Sequence, residues 1–193
     1  MPISHSKRVV FVHVPKTAGT TIERALGMMN SESLYNHRYD EELRVCPQHL
    51  YPNEILQKHP QAKDYYWFAV VRNPLDRFIS EYHHINLIEG RGAEFRGLSF
   101  SDFIECLDLP QEERMFLFDR HLEPQINFIN KHMHVFKYEQ LNECFEMLKQ
   151  KFRIPFFTHE RKSFRGEVSD YYDKYLEEKV RSFYKQDFEA FGY

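Results

Sequence analysis

The chain has 193 residues, eleven histidines and a formal net charge of −3, with a sequence pI near 6.4. That length suits one domain over 1–193 with a full core, and that charge argues against a general nucleic-acid binder, which needs a basic surface. Cys46, Cys106 and Cys144 are far apart with no CxxC pair, MPISHSKRVV has no apolar leader core, and no run is long enough for membrane insertion, so a cytoplasmic protein with reduced thiols is expected.

In chain order, the apolar β-branched run 9–14 predicts a buried strand that breaks at Pro15. A helix follows, with Ile22, Ala25, Leu26 and Met29 on one face. Between them lie Lys16, Thr17, Ala18, Gly19, Thr20 and Thr21. A strand, a turn of small residues and a helix N-terminus make an anion site, because unpaired N–H groups and the positive helix end converge there. Gly19 permits close backbone approach, the threonine hydroxyls add donors, and Lys16 adds a full charge.

Residues 30–43 are polar and read as a connection, 44–46 as a short strand, and Pro52 opens a short helix with Ile55 and Leu56 as its apolar side. The run 65–71, YYWFAVV, predicts a central parallel strand. It ends at Arg72, where ligands bind in open α/β sheets; the competing reading of Arg72 is a surface ion pair with Asp76 or Glu81. Asn73 caps a helix whose Phe78, Ile79, Tyr82 and Ile85 share a face, with Ser80 off it. Residues 86–100 hold three glycines plus Arg91 and Arg96 and suggest a mobile loop able to cover an acceptor, or a plain surface connection. Helices are expected at 100–107, 111–118 and 139–151, a third strand at 133–137, and a single last helix over 169–188 burying Tyr172, Leu176, Val180 and Phe183. Strands alternating with helices indicate an α/β fold of three layers around a central, mainly parallel sheet.

The nucleoside triphosphate P-loop places Gly-Lys-Ser/Thr at its far end. In PKTAGTT the lysine comes first, directly after the strand, and no glycine precedes it. That order resembles the loop with which sulfotransferases hold the 5′-phosphosulfate of 3′-phosphoadenosine-5′-phosphosulfate (PAPS). Arg72 and Ser80, eight residues apart in VVRNPLDRFISEYHHI, are similar to the same family's 3′-phosphate motif. KYEQLNECFEMLKQKFRI resembles its strand–Glu–helix segment and YYDKYLEEKVRSFYKQDFEAFGY its C-terminal helix. The likeness is closest to carbohydrate sulfotransferases and their small bacterial members, and it covers nearly the whole chain.

The resemblance implies a P-loop-like sulfotransferase fold and transfer of a sulfuryl group from PAPS to a carbohydrate or glycosylated hydroxyl acceptor, leaving 3′-phosphoadenosine-5′-phosphate (PAP). It implies cofactor contacts from Pro15, Lys16, Thr17, Ala18, Gly19, Thr20, Thr21, Arg72 and Ser80. Lys16 then stabilises charge on the leaving phosphate, and the family's base lies between the two motifs. His49, in CPQHLYPNEI, resembles that position; His37, in YNHRYD, is the second candidate. Lys162 and Ser163 lie where the family has a further cofactor-contacting segment. The alternatives are a nucleotide kinase or NTPase and a non-catalytic PAP-binding protein. His83, His84, His132 and His134 stand near no carboxylate or thiolate at ligand spacing, so no metal is expected. Phe116, Phe118, Phe128 and Phe136 are expected in the core.

Overall fold

The structure is a computed structural model describing residues 3–28, 42, 44–87, 92–154 and 166–193. Its sheet begins with β1 (Ile3–Ser4) and β2 (Val9–Val12), which pair antiparallel. α1 (Gly19–Leu26) follows the loop, and α2 (Pro52–Lys58) precedes β3 (Tyr66–Val71). α3 (Pro74–Ile85), α4 (Phe100–Glu105) and α5 (Gln111–Leu117) lead to β4 (His134–Lys137), then α6 (Leu141–Phe152), α7 (Lys174–Phe183) and α8 (Lys185–Phe191). The sheet order is β1-β2-β3-β4, with β2–β3 and β3–β4 parallel and Val12 opposite Ala69.

Alternation along the strands makes the layers. Val10, Val12, Trp67 and Ala69 face one core with Leu50 and Ile55 of the α2 side. Val9, Phe11, Phe68 and Val70 face the other, with Ile22 and Leu26 of α1 and Cys144 and Leu148 of α6. A third cluster joins Leu75, Phe78 and Ile79 of α3 to Phe103, Phe118, Val180 and Tyr184. The α/β fold with a central, mostly parallel sheet is therefore as expected. β2 and β3 both end at the same edge, which brings the 13–18 loop beside Arg72.

Several local expectations are revised. The last helix is two, interrupted at the single residue Tyr184, which is 1% exposed and donates its hydroxyl to Leu122 O at 2.8 Å, while Tyr172 precedes α7. The 44–46 strand reduces to a single bridging residue, Val45. In the 86–100 segment the described part is tied to α3: Tyr82 Oη donates to Leu98 O (3.1 Å) and Gly97 N to Asn86 Oδ1 (2.9 Å). Phe118, Phe128 and Phe136 are buried, whereas Phe116 is half-exposed beneath the Arg44 guanidinium. No disulfide joins the cysteines, and burial pushes the thiols of Cys106 and Cys144 up to about 11 and about 12. No helix among the described residues is long and apolar enough to cross a membrane.

Candidate active site

The loop after β2 curls through two left-handed residues, Lys16 (φ 69°) and Ala18 (φ 70°). Such curling turns successive N–H groups inward as an anion-binding nest, and non-glycine residues hold it only where surroundings enforce it. Pro15 is buried beneath, and the fully buried Thr17 turns its hydroxyl inward to donate to Val14 O at 2.7 Å. Thr17 thus shapes the loop with its side chain. Ala18 is the N-cap of α1 without a side-chain cap, so the helix end is left to backbone donors; Thr20 is half-exposed and Thr21 buried. Gly19 is required sterically: a Cβ there would lie 2.0 Å from His13 Nε2.

Arg72 emerges from β3 at the neighbouring edge. Its backbone is gripped on both sides by the buried Gln125, with Arg72 N donating to Oε1 (2.9 Å) and Gln125 Nε2 donating to Arg72 O (2.8 Å). Gln125 is fixed in turn by Asp187 of α8, which accepts from Gln125 N and Ile126 N. Glu139 accepts from Asn73 N at 2.9 Å and from Tyr193 Oη at 2.7 Å. The guanidinium is 7% exposed and stacks on Tyr138 at 4.2 Å. Its nearest carboxylate is Asp76, at 3.7 Å; Glu81 pairs with His121 instead. Arg72 Nε is buried without a hydrogen-bond partner, and neither the guanidinium nor the Ser80 hydroxyl bonds any described residue. Ser80 is buried, although its position seemed off the packed face of α3.

Three histidine–carboxylate pairs lie under the loop. His13 Nδ1 meets Glu23 Oε1 at 2.6 Å, His49 Nδ1 meets Asp119 Oδ2 at 2.8 Å, and His121 Nδ1 meets Glu81 Oε2 at 2.7 Å. The rings are neighbours: His13 and His49 have centroids 5.2 Å apart, His49 and His121 4.7 Å, and His84 stacks on His121 at 5.4 Å. Gln48 Nε2 donates to Glu23 Oε2 at 2.6 Å, tying α1 to the turn that carries His49. Asp119 also accepts Cys46 N–H at 2.7 Å.

Burial opposes ionisation of these carboxylates, but their partners outweigh it. His49 holds Asp119 below the usual carboxylate range, His13 does the same for Glu23, and His121 lowers Glu81 to about 2. An ionised carboxylate only accepts, so each Nδ1 carries a proton and each Nε2 is left for another partner. Burial pushes His49 below the ordinary imidazole value, with Asp119 partly opposing. Burial likewise lowers His84 to about 4, helped by His121 and Lys16 against Glu81. The charge of Lys16 acts in the same direction on Glu81 and His84, lowering both.

His49 lies against His13, the residue that opens the loop. The sequence alone does not single out Asp119, His121, His13 or Glu23, because pairings such as His49–Asp119 span up to 70 residues of chain, and it offers Glu81 only as an ion-pair partner of Arg72. His37, Lys162 and Ser163 lie outside the described residues. The fold also gathers donor atoms of His49, Asp119 and His121 within 4.8 Å of one another. In that group each Asp119 oxygen takes part in one hydrogen bond, with His49 and with Cys46 N–H. His83 Nε2 bonds Tyr171 Oη at 2.6 Å and His134 stacks on Phe136, each in a local structural contact.

No curated protein matches the chain. Among solved structures, a sulfotransferase from Alicyclobacillus acidocaldarius is similar over 93% of this chain and 92% of its own, at 16% identity and a TM-score of 0.49. The profile described as the sulfotransferase family matches residues 1–193. Since that match spans the loop after β2, Arg72 with Ser80, and the histidine cluster alike, this chain belongs to the sulfotransferase family.

Proposed function

We propose that the chain, as one domain over 1–193, transfers a sulfuryl group from PAPS to a hydroxyl of a carbohydrate or glycosylated small molecule. The observation that carries the donor is Arg72. Its guanidinium is buried and hydrogen-bonds no described residue, whereas Arg77, Arg114 and Arg120 each donate at least two hydrogen bonds within the protein. An orphaned buried cation is costly unless a ligand completes it. Arg72 with Ser80 suits a 3′-phosphate, and the left-handed Lys16–Ala18 loop suits a 5′-phosphosulfate; a nucleotide with phosphate at only one end would leave one of these unused.

When bound, PAPS supplies a sulfuryl group that leaves its bridging phosphate oxygen and joins the acceptor's hydroxyl oxygen. Lys16 opposes the charge left on that phosphate. His49, with Nδ1–H given to Asp119, keeps Nε2 as the base that takes the acceptor's proton. Its lowered pKa keeps it neutral, and so able to accept, at pH 7. The saccharide acceptor is inferred from the likeness of 137–154 and 171–193 to carbohydrate sulfotransferases.

Calorimetric titration tests the donor. Arg72→Ala should weaken PAP binding by about 2–4 kcal/mol, the cost of losing a charged hydrogen-bonded partner. Adenosine 5′-phosphosulfate, which lacks the 3′-phosphate, should lose far less. Equal losses for both ligands would show the assignment of Arg72 to be wrong.

A further inference from the structure

α5 is followed by three residues that all turn toward the cluster. Asp119 (φ 48°) and Arg120 (φ 65°) are consecutive left-handed residues, a backbone that neither side chain favours. Asp119 reaches His49 Nδ1 and Cys46 N; Arg120 reaches both oxygens of Glu54 and the backbone carbonyl of His49. His121 reaches Glu81 at 2.7 Å. The strained turn therefore builds the surroundings of His49 with every side chain it carries.

Asp119 uses both carboxylate oxygens in that scaffold, and Arg120 uses Nη1 and Nη2. His121 uses one nitrogen of two: its Nδ1 is held, and its Nε2 bonds no described residue. The ring is 4.7 Å from His49, edge to face, and its other flank is fixed by the nearly parallel ring of His84, at 11°. This repeats the His49–Asp119 pair beside it, and the charge of Lys16 lowers both Glu81 and His84, the ring's neighbours.

The site needs such a group. Sulfuryl transfer places negative charge on non-bridging oxygens, and a water-poor site must meet it with fixed donors. His49 Nε2 must present a lone pair to act as base, Lys16 is assigned to the leaving phosphate, and Arg72 to the far end of the nucleotide. We propose that His121, fixed by Glu81, is a second imidazole of the transfer site that donates Nε2–H to a non-bridging sulfuryl oxygen. With Nδ1–H on Glu81 and Nε2–H on the ligand the ring carries both protons, and Glu81 faces its charge. The other charged or titratable groups around it are His84 from α3, His49 from the 47–49 turn, Lys16 from the loop and Asp119 from its own turn. This inference rests on the PAPS reading above.

The test compares ligands that differ only in the sulfuryl group. PAPS and PAP are titrated calorimetrically into the wild-type protein, His121→Gln and His49→Gln. His121→Gln should lower PAPS affinity about tenfold and leave PAP within about threefold, the loss of one charged hydrogen bond. His49→Gln should change neither by more than about threefold, since its partner is the acceptor. An unchanged PAPS-to-PAP ratio in folded His121→Gln overturns the proposal, and so does an equal loss of both ligands. If His121→Gln does not fold, Glu81→Gln decides instead: its PAPS-to-PAP ratio must fall at least about threefold. A wild-type protein that binds neither ligand overturns the nucleotide reading itself, and this inference with it.

Discussion

Two clusters of buried charge share the segment 119–123, and they differ in how completely they are satisfied. In one, Arg114 donates to Glu123 Oε1 at 2.9 Å and to the carbonyls of Leu107 and Leu109, while Arg77 donates to the carbonyls of His121 and Glu123. Glu123 also accepts from Gln111. In the other, His49 and His121 each give one nitrogen to a carboxylate and hold the second back. A buried polar group that is fully bonded rigidifies; one left half-bonded is costly unless a ligand completes it. Arg72 falls with the second group: Arg77 also leaves its Nε unbonded but donates through both other guanidinium nitrogens, whereas the Arg72 guanidinium hydrogen-bonds no described residue.

The comparison is broken most severely on the scaffold side. Arg114→Ala leaves Glu123, fully buried, with an uncompensated charge, and should cost about 3–5 kcal/mol in urea unfolding. If stability falls by less than about 1 kcal/mol, the arginine cluster is not the scaffold described here. A smaller effect, of another kind, is expected on the chemical side. Asp119→Asn keeps the size of the side chain but removes the obligate acceptor that sets the His49 tautomer. With an acceptor in hand, kcat should fall on the order of a hundredfold, while PAP affinity stays within about threefold. His49→Ala should fall by 10²–10⁴, roughly the range of a general base. Normal turnover by both variants would move the base elsewhere.

The smallest effect is in the acid range. Glu81 is held at about 2, below its ordinary 4.5, because the charge of His121 and its hydrogen bond together exceed the burial penalty. The unfolded chain therefore takes up this proton first as pH falls, and the stability that Glu81 contributes above about 4.5 is lost on the way down to about 2. In Glu81→Gln the slope of unfolding free energy against pH across that window should be shallower by up to about one proton. Identical slopes would mean that the His121–Glu81 pair does not set the carboxylate's ionisation.

What was legible in the sequence is what is carried by neighbours in the chain. The runs 9–14 and 65–71, the small-residue loop between strand and helix, the Asn73-Pro74 helix start and Arg72 at a strand end are all local patterns, and the structure contains each of them. His49 was singled out from its place between two motifs. Its partner was not, because Asp119 stands 70 residues away on a turn whose left-handed backbone has no glycine to announce it. The same holds for Glu81 and His121, 40 residues apart, and for the grip of Gln125 on Arg72 across 53. β1 is two residues long and carries no periodicity, and the break at Tyr184 follows from a tertiary hydrogen bond rather than from a helix-breaking residue. Tertiary pairing overrides helical periodicity at that point.

The close approach of His13 to Gly19 has a consequence for how such a chain can diverge. An imidazole at 13 leaves no room for any side chain at 19, since the first carbon would stand 2.0 Å from Nε2. The reverse also holds: only when position 13 shrinks does position 19 gain freedom. The two sites therefore form one heritable unit in which the histidine changes first, since Gly19→Ala beside an intact His13 would displace the imidazole and loosen its bond to Glu23. Lineages that keep the histidine should keep the glycine, and any that lose the glycine should already have lost the histidine.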